Sequence, residues 1–302
     1  MIRARAACVA IWVVALVLCA AGCPPQVVRV PQPPGAIPTA ADFQRAQEQR
    51  LLAIPTLALR GHAALQWTDG RGGHFDDGDF DFIARPPVEL SLRLSKLGEK
   101  FLWVGGGGGQ AWVIFPRESP TRAILRRWTD GGDRGAALDG LELGGIESLL
   151  EPGRMMEALG LSRIDSAAIK QIAWDERRGG WSFELPGRVI FARGESLLPV
   201  GCNWTNALGK VLASCTLEGF EWIRGERPVG SPPAAVQPLV ATRIRFSIWS
   251  QGRCEGDGPP SGELALAAQE PSFGTDRMRP QLFNWDDVRA ALRPEVIEGL
   301  KP

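Results

Sequence analysis

The side chains in this sequence that could do chemistry are few and scattered. Histidine occurs only at His62 and His74. A turn near Gly70 and Arg71 pairs His74 with about Trp67 and leaves His62 farther along its strand, so the two do not converge on one metal ion. Both read as solvated or hydrogen-bonded strand histidines. Asp76, Asp77, Asp79 and Asp81 suggest calcium, but Asp79 and Asp81 alternate with Phe80 and Phe82 and form the wet face of a strand. The spacing and closing glutamate of an EF-hand loop are missing. Gly105 to Gly109 could offer backbone amides to a phosphate, yet a phosphate loop feeds a helix. This one feeds "QAWVIF", a strand, and reads as a hairpin tip. No serine stands in a nucleophile-elbow pattern, and neither histidine is placed to serve one. The chain is therefore read as a non-enzyme that needs no metal and no cofactor.

Cys202 and Cys215 are better placed. A hairpin tipped at Leu208 and Gly209 sets Cys202 opposite Cys215, Val200 opposite Leu217 and Trp204 opposite Ala213. Counting from Ala207 and Lys210 as the closing pair puts the cysteines on a non-hydrogen-bonded pair, where backbones approach to about 4.5 Å and a cross-strand disulfide can close. Such bonds persist in exported proteins. A Cys202–Cys215 disulfide is the expectation, two buried free thiols the alternative, and Cys254 has no partner.

Export is written at the N-terminus. Arg3 and Arg5 precede an uncharged run from Ala6 to Gly22, about 17 residues and short for a permanent span. A positive start, an apolar centre and small residues before a cut site mark a signal peptide. Here Ala20, Ala21 and Gly22 lead into Cys23, which resembles the lipobox of bacterial lipoproteins. That resemblance implies cleavage before Cys23 and a diacylglycerol on its sulfur. An ordinary signal peptide and a retained helix are the alternatives. "PPQVVRVPQPPGAIP" then forms a proline-stiffened tether too poor in apolar groups to build a core. The division expected is 1–22 signal peptide, 23–38 tether and 39–302 a single domain.

Lys+Arg and Asp+Glu are equal at 34 each, so no field is available to draw nucleic acid, and partners must be met through shape and apolar contact. What must hold any site is mostly sheet. "TAADFQRAQEQRLLA" has a capping threonine and helix formers. Beyond Pro55 the period becomes two: Leu57, Leu59, Gly61, Ala63, Leu65 and Trp67 share one face, then Phe80 and Phe82, then Leu90, Leu92 and Leu94. "KFLWV" and "QAWVIF", "TRAILRRW", "IKQIAWDE", "GWSFEL", "RVIFAR", "LLPVGCNWT", "KVLASCTLEGFEWI", "LVATRIRFSIW" and "ELALAAQ" continue the strands. The stretch of about 131–166 interrupts them as an insert of two short helices separated at Pro152. "NWDDVRAALRPEVIEGL" ends the chain as helix, with Asn284 as cap and Pro294 closing its first piece. With no βαβ alternation the sheet is antiparallel and the class α+β.

This order, with "LRGHAALQWTDGRGGHFDDGDFDFIARPPVELSLRLSKLGEKFLWVGGGGGQAWVIF" as its closest stretch and "TRIRFSIW" and "RPQLFNW" near the end, resembles the bacterial lipoprotein-sorting carrier and receptor family of LolA/LolB-like fold. The resemblance implies a large curved antiparallel sheet, an open half-barrel, with a few helices covering an apolar face that takes acyl chains. On that basis the expectation is an envelope lipoprotein, held at a bacterial membrane (the outer membrane favoured) and facing the periplasm, that binds or transfers a lipid, an acyl chain or a lipoprotein anchor. Its partners would be lipid or an acylated protein, with an envelope protein as a further possibility. The candidate wall of the cavity is Leu65, Trp67, Phe80, Phe82, Leu92 and Leu94, apolar members of consecutive strands; the alternative packs all six against the helices with no room for a guest. A scaffold lipoprotein without a ligand is the competing function.

Overall fold

The computed structural model describes residues 30–32, 35–70, 72–127, 150–231, 238–249 and 254–299. One open, curved sheet of fourteen strands dominates it. Two antiparallel meanders build that sheet. The first runs β1 (Leu57–Asp69), β2 (Gly72–Arg85), β3 (Glu89–Lys96), β4 (Glu99–Gly107), β5 (Gln110–Phe115) and β6 (Arg122–Arg127). The second runs β7 (Gln171–Asp175), β8 (Gly180–Leu185), β9 (Arg188–Arg193), β10 (Leu198–Thr205), β11 (Val211–Trp222), β12 (Leu239–Ile248) and β13 (Gly262–Ser272). The pairing of β1 with β13 joins them into one surface. The long β1 carries the joint: Ala63 and Leu65 meet Leu266 and Leu264 on one side, while Leu59 meets Phe82 on the other.

Alternation decides which side becomes the core, since a one-residue slip would turn every apolar residue outward. Leu59, Phe82, Leu92, Val104, Val113 and Ile124 form one row of Cα partners from β1 to β6. Leu65, Leu264, Phe246, Cys215, Cys202, Ile190 and Phe183 continue the inner face through the second meander. Against this face lie α1 (Ala40–Ala53) and α2 (Pro152–Ala158). Helix α1 begins at a complete capping box, with the Thr39 hydroxyl accepting from the Asp42 amide and the Asp42 carboxylate accepting from the Thr39 amide. That satisfies two amide groups a helix start otherwise leaves open.

The outer face is not bare. Trp103, Trp112, Ile114, Ala123 and Leu125 of β4, β5 and β6 form a second core under α3 (Trp285–Leu292), which contributes Trp285 and Val288. Gly105 makes this possible, because a Cβ there would lie 2.5 Å from the Trp112 ring.

Two expectations need correction here. The run Gly105 to Gly109 is not all hairpin tip: Gly105 to Gly107 belong to β4 and only Gly108 and Gly109 turn the chain, both at positive φ. Pro152, expected to separate two helices of the insert, opens α2, consistent with a missing amide that a first helical turn does not use. The first expected helix of the insert lies outside the described residues. Among the described residues after Pro294 there is no helix; Val296–Glu298 is β14, parallel to β6 at the sheet edge.

Candidate functional site: the closed interior

All six residues predicted for the cavity wall lie on the inner face. Leu65, Phe80, Phe82, Leu92 and Leu94 are buried in the main core, and Trp67 is half-buried against it. Trp67 stacks on His74, its partner across the β1–β2 hairpin, with centroids 4.9 Å apart. His62 sits opposite Asp79. The six form a wall, and in this structure the wall is covered.

The covering elements are held in different ways. Helix α1 lays Phe43 flat on Phe183 of β8 at 3.9 Å. Its partly buried Arg50 donates Nη1 to the Leu239 carbonyl at 2.6 Å and Nη2 to the Leu159 carbonyl at 3.3 Å, so one guanidinium ties α1 to β12 and to the residues after α2. Burial lowers the Arg50 pKa to about 10, which leaves it charged at neutral pH. At Gly160 the chain turns away from α2 at a φ of 64°, and a Cβ there would press on Pro199 at 2.7 Å.

Helix α2 plugs the interior. Met155 and Met156 are fully buried, and Leu159 and Leu161 follow them in. Methionine is unbranched and repacks readily, a suitable filler for an irregular space. The same helix carries Glu157 inward, its side chain only 4% exposed. There the Arg188 guanidinium of β9 approaches its carboxylate at 2.5 Å, and the Trp204 indole of β10 donates to it at 3.2 Å. Arg154, also buried, pairs with Glu151 at 2.9 Å. Sequence reasoning passed over Glu157, Arg188 and Trp204 as a group. A signal was available, since Arg188 shares its strand parity with Ile190 and Ala192 and so had to point inward.

Cys202 and Cys215 are Cα partners in the register expected, as are Trp204 and Ala213. Both, however, are buried free thiols, and so is Cys254. The disulfide expectation is corrected: the register shifts between Trp204 and Thr205, so a ladder counted from the tip without a bulge assigns the wrong parity to the cysteines. Burial pushes both thiols up, with the Glu157 carboxylate adding to the effect at Cys202. Cys23 lies outside the described residues.

Asp81 is more than a wetted strand residue, for Arg60, Arg93 and Arg277 all pair with it. Asp77 pairs with Lys96 at 2.8 Å. Among the described residues no three His, Cys, Asp or Glu side chains gather as a metal site, and no helix is long and apolar enough to cross a membrane.

Among the described residues, grooves open to solvent on both faces of the sheet. One of about 340 Å³ runs along the start of α1, between Ile37, Pro38 and Asp42 on one side and Trp181 and Leu197 on the other. The second, about 430 Å³, lies on the outer face among His62, Thr216, Glu218, Arg243 and Arg245.

No family model matches this chain, and no curated protein matches it. Solved structures do resemble it at low identity. A LolA superfamily protein from Nitrosomonas europaea is 11% identical with a TM-score of 0.45, over 82% of this chain and 99% of that one. A DUF1329 family protein from Desulfovibrio piger is 11% identical with a TM-score of 0.48, over 83% and 99%. A Vibrio parahaemolyticus protein described as an outer membrane lipoprotein-sorting protein domain is 10% identical with a TM-score of 0.48, over 84% and 100%.

Proposed function

We propose that this protein is a lipid-anchored protein of the cell envelope that takes an acyl chain, on a lipid or an acylated protein, between its curved sheet and its covering helices. It acts by binding and release, without chemistry. The observation that carries the reading is the filling of the interior by α2. A largely apolar inner face, shared by both meanders and covered in part by α1, is filled by a seven-residue helix that has no side-chain cap and inserts Met155 and Met156. Withdrawing these two side chains forfeits roughly 1.5 to 3 kcal/mol each, and an acyl chain returns about 0.8 kcal/mol per buried methylene. About four to eight methylenes therefore offset the exchange, and ordinary membrane acyl chains exceed that length.

A scaffold without a ligand is the competing reading, favoured by the burial of the predicted wall and by the charged groove at His62, Glu218, Arg243 and Arg245. Native mass spectrometry of protein released from its own membranes, with titration by a fluorescent fatty acid, separates the two. Bound lipid and saturable binding, strengthened in Met155→Ala/Met156→Ala, support the carrier. A lipid-free protein that binds no acyl probe in either form overturns it in favour of the scaffold.

A further inference from the structure

Glu157, Arg188 and Trp204 have no part in holding an acyl chain, yet they sit in the wall that would. Arg188 and Trp204 are Cα partners on β9 and β10, and their neighbours on the inner face are Leu185, Ile190, Cys202 and Ala213. In this mostly apolar setting, with Arg154 of α2 also buried, two groups converge on one carboxylate: a guanidinium 13% exposed, ion-paired at 2.5 Å, and an indole N–H that donates at 3.2 Å. We propose that Arg188 and Trp204 are a receptor for the anionic end of a bound amphiphile, and that Glu157 occupies it while the molecule is closed.

Three features support this. The donors and the carboxylate belong to parts of unequal permanence. Arg188 and Trp204 stand on strands paired along both edges, whereas Glu157 rides on a short helix without a side-chain cap. A buried ion pair is also a poor device for stability alone, because apolar residues of similar size commonly serve as well or better. Finally, withdrawal of α2 leaves the Arg188 charge inside an apolar wall, where an unpaired ion is costly and demands a replacement anion. An incoming amphiphile that supplies an oxyanion meets that demand as its chain replaces Met155 and Met156. The inference rests on the carrier reading and narrows it: the ligand is an amphiphile ending in a carboxylate or phosphate. An uncharged diacylglyceryl thioether does not meet it.

The test uses the whole mature sequence, residues 23–302, secreted behind a cleavable signal with Cys23→Ala so that only acylation is lost. The probes are cis-parinaric acid, its methyl ester, and a single-chain phosphatidylglycerol as competitor. If each charged hydrogen bond contributes as usual, wild type prefers acid to ester by roughly tenfold or more. Glu157→Gln removes the internal competitor and strengthens both probes by a similar factor, leaving the ratio unchanged, because the lid equilibrium scales both affinities alike. Arg188→Gln brings the ratio to about one. Since that variant strands a buried carboxylate, Glu157→Gln/Arg188→Gln is measured beside it, with the same ratio expected. Displacement by the phosphatidylglycerol more readily than by free fatty acid assigns the anion to phospholipid, and the reverse to fatty acid. Equal binding of acid and ester in wild type and Glu157→Gln overturns the receptor while leaving the acyl pocket standing. Binding of neither probe to any form overturns the pocket and the receptor together.

Discussion

Phe43 of α1 lies flat on Phe183 of β8, with ring centroids 3.9 Å apart and planes 8° from parallel. Both rings are fully buried, so this contact joins the first helix of the body to the far end of the sheet, where β8 is one strand from the edge. Phe43→Ala removes a large buried ring from a site that the rigid sheet cannot close, at about 3 to 5 kcal/mol. Urea denaturation should show a loss of that size, and Phe43→Leu a smaller one. An unchanged midpoint for the alanine variant would mean that α1 does not pack as described.

Cys202 and Cys215 should behave as inert thiols. Their burial favours the neutral form, and the thiolate is the species that alkylates. Iodoacetamide at mildly alkaline pH should leave both unmodified in the folded protein and modify both after denaturation. A Cys202–Cys215 bridge in peptides from exported protein would contradict the free thiols.

The same shift has a sign in stability. Below the ordinary thiol pKa of 9.0 both folded and unfolded chains keep these protons, and the contribution is whole. Above it the unfolded chain releases protons that the folded one retains, so stability falls as pH rises. The chain has no tyrosine to titrate in that range. The denaturation midpoint should therefore drop between about pH 9 and pH 11, and drop less in Cys202→Ala/Cys215→Ala. Equal slopes in the two proteins would refute the linkage.

Gly105→Ala tests the second core. The added Cβ would meet the Trp112 ring at 2.5 Å, and Trp112 is enclosed between β4, β5 and Trp285, with the two indoles 5.9 Å apart. Overpacking of this kind costs about 1 to 3 kcal/mol, a fall in Tm of roughly 2 to 4 °C for each kcal/mol in a domain of this size. Gly70→Ala, where nothing lies within reach of the new atom, is the control and should stay within about 0.5 kcal/mol.

What the sequence disclosed and what it withheld follow from the range of the forces involved. The inner row through Leu59, Phe82 and Leu92 was legible because each strand is apolar on one side, and period two is visible within eight residues. Thr39 and Asn284 were legible as caps because capping is local; Asn284 accepts from the amides of Asp286 and Asp287. The cover of α3 over Trp103 and Trp112 was not, since nothing near Trp285 in sequence says which tryptophans it will meet. β14 escaped because three residues paired in parallel at an edge leave no period to detect. The disulfide failed on one bulge beyond Trp204, which preserved the facing residues and spoiled the count. Glu157 and Arg188 lie 31 positions apart, and no periodicity connects a helix residue to a strand residue.

Cys23 tests the membrane attachment. The apolar run from Ala6 to Gly22 behind Arg3 and Arg5 is short for a span, and Ala20, Ala21 and Gly22 before the cysteine read as a small-residue cut site. The body begins close behind it. The Val30 amide donates to the Glu176 carbonyl at 2.8 Å, and the Trp174 indole donates to the Val30 carbonyl at 2.9 Å, which pins the chain beside β7. Seven residue steps from Cys23 to Val30 reach at most about 25 Å when fully extended, so acylation of Cys23, if it occurs as proposed, would hold the β7 edge close to the bilayer. Labelled palmitate should enter the wild-type protein, and Cys23→Ser should accumulate as unlabelled full-length precursor in the membrane fraction. Trp174→Ala, which removes one of the two hydrogen bonds at Val30, should leave labelling intact but expose the segment before Thr39 to protease at lower enzyme concentrations. Normal processing and labelling of Cys23→Ser would falsify the anchor, and the attachment would then have to be sought in the apolar run itself.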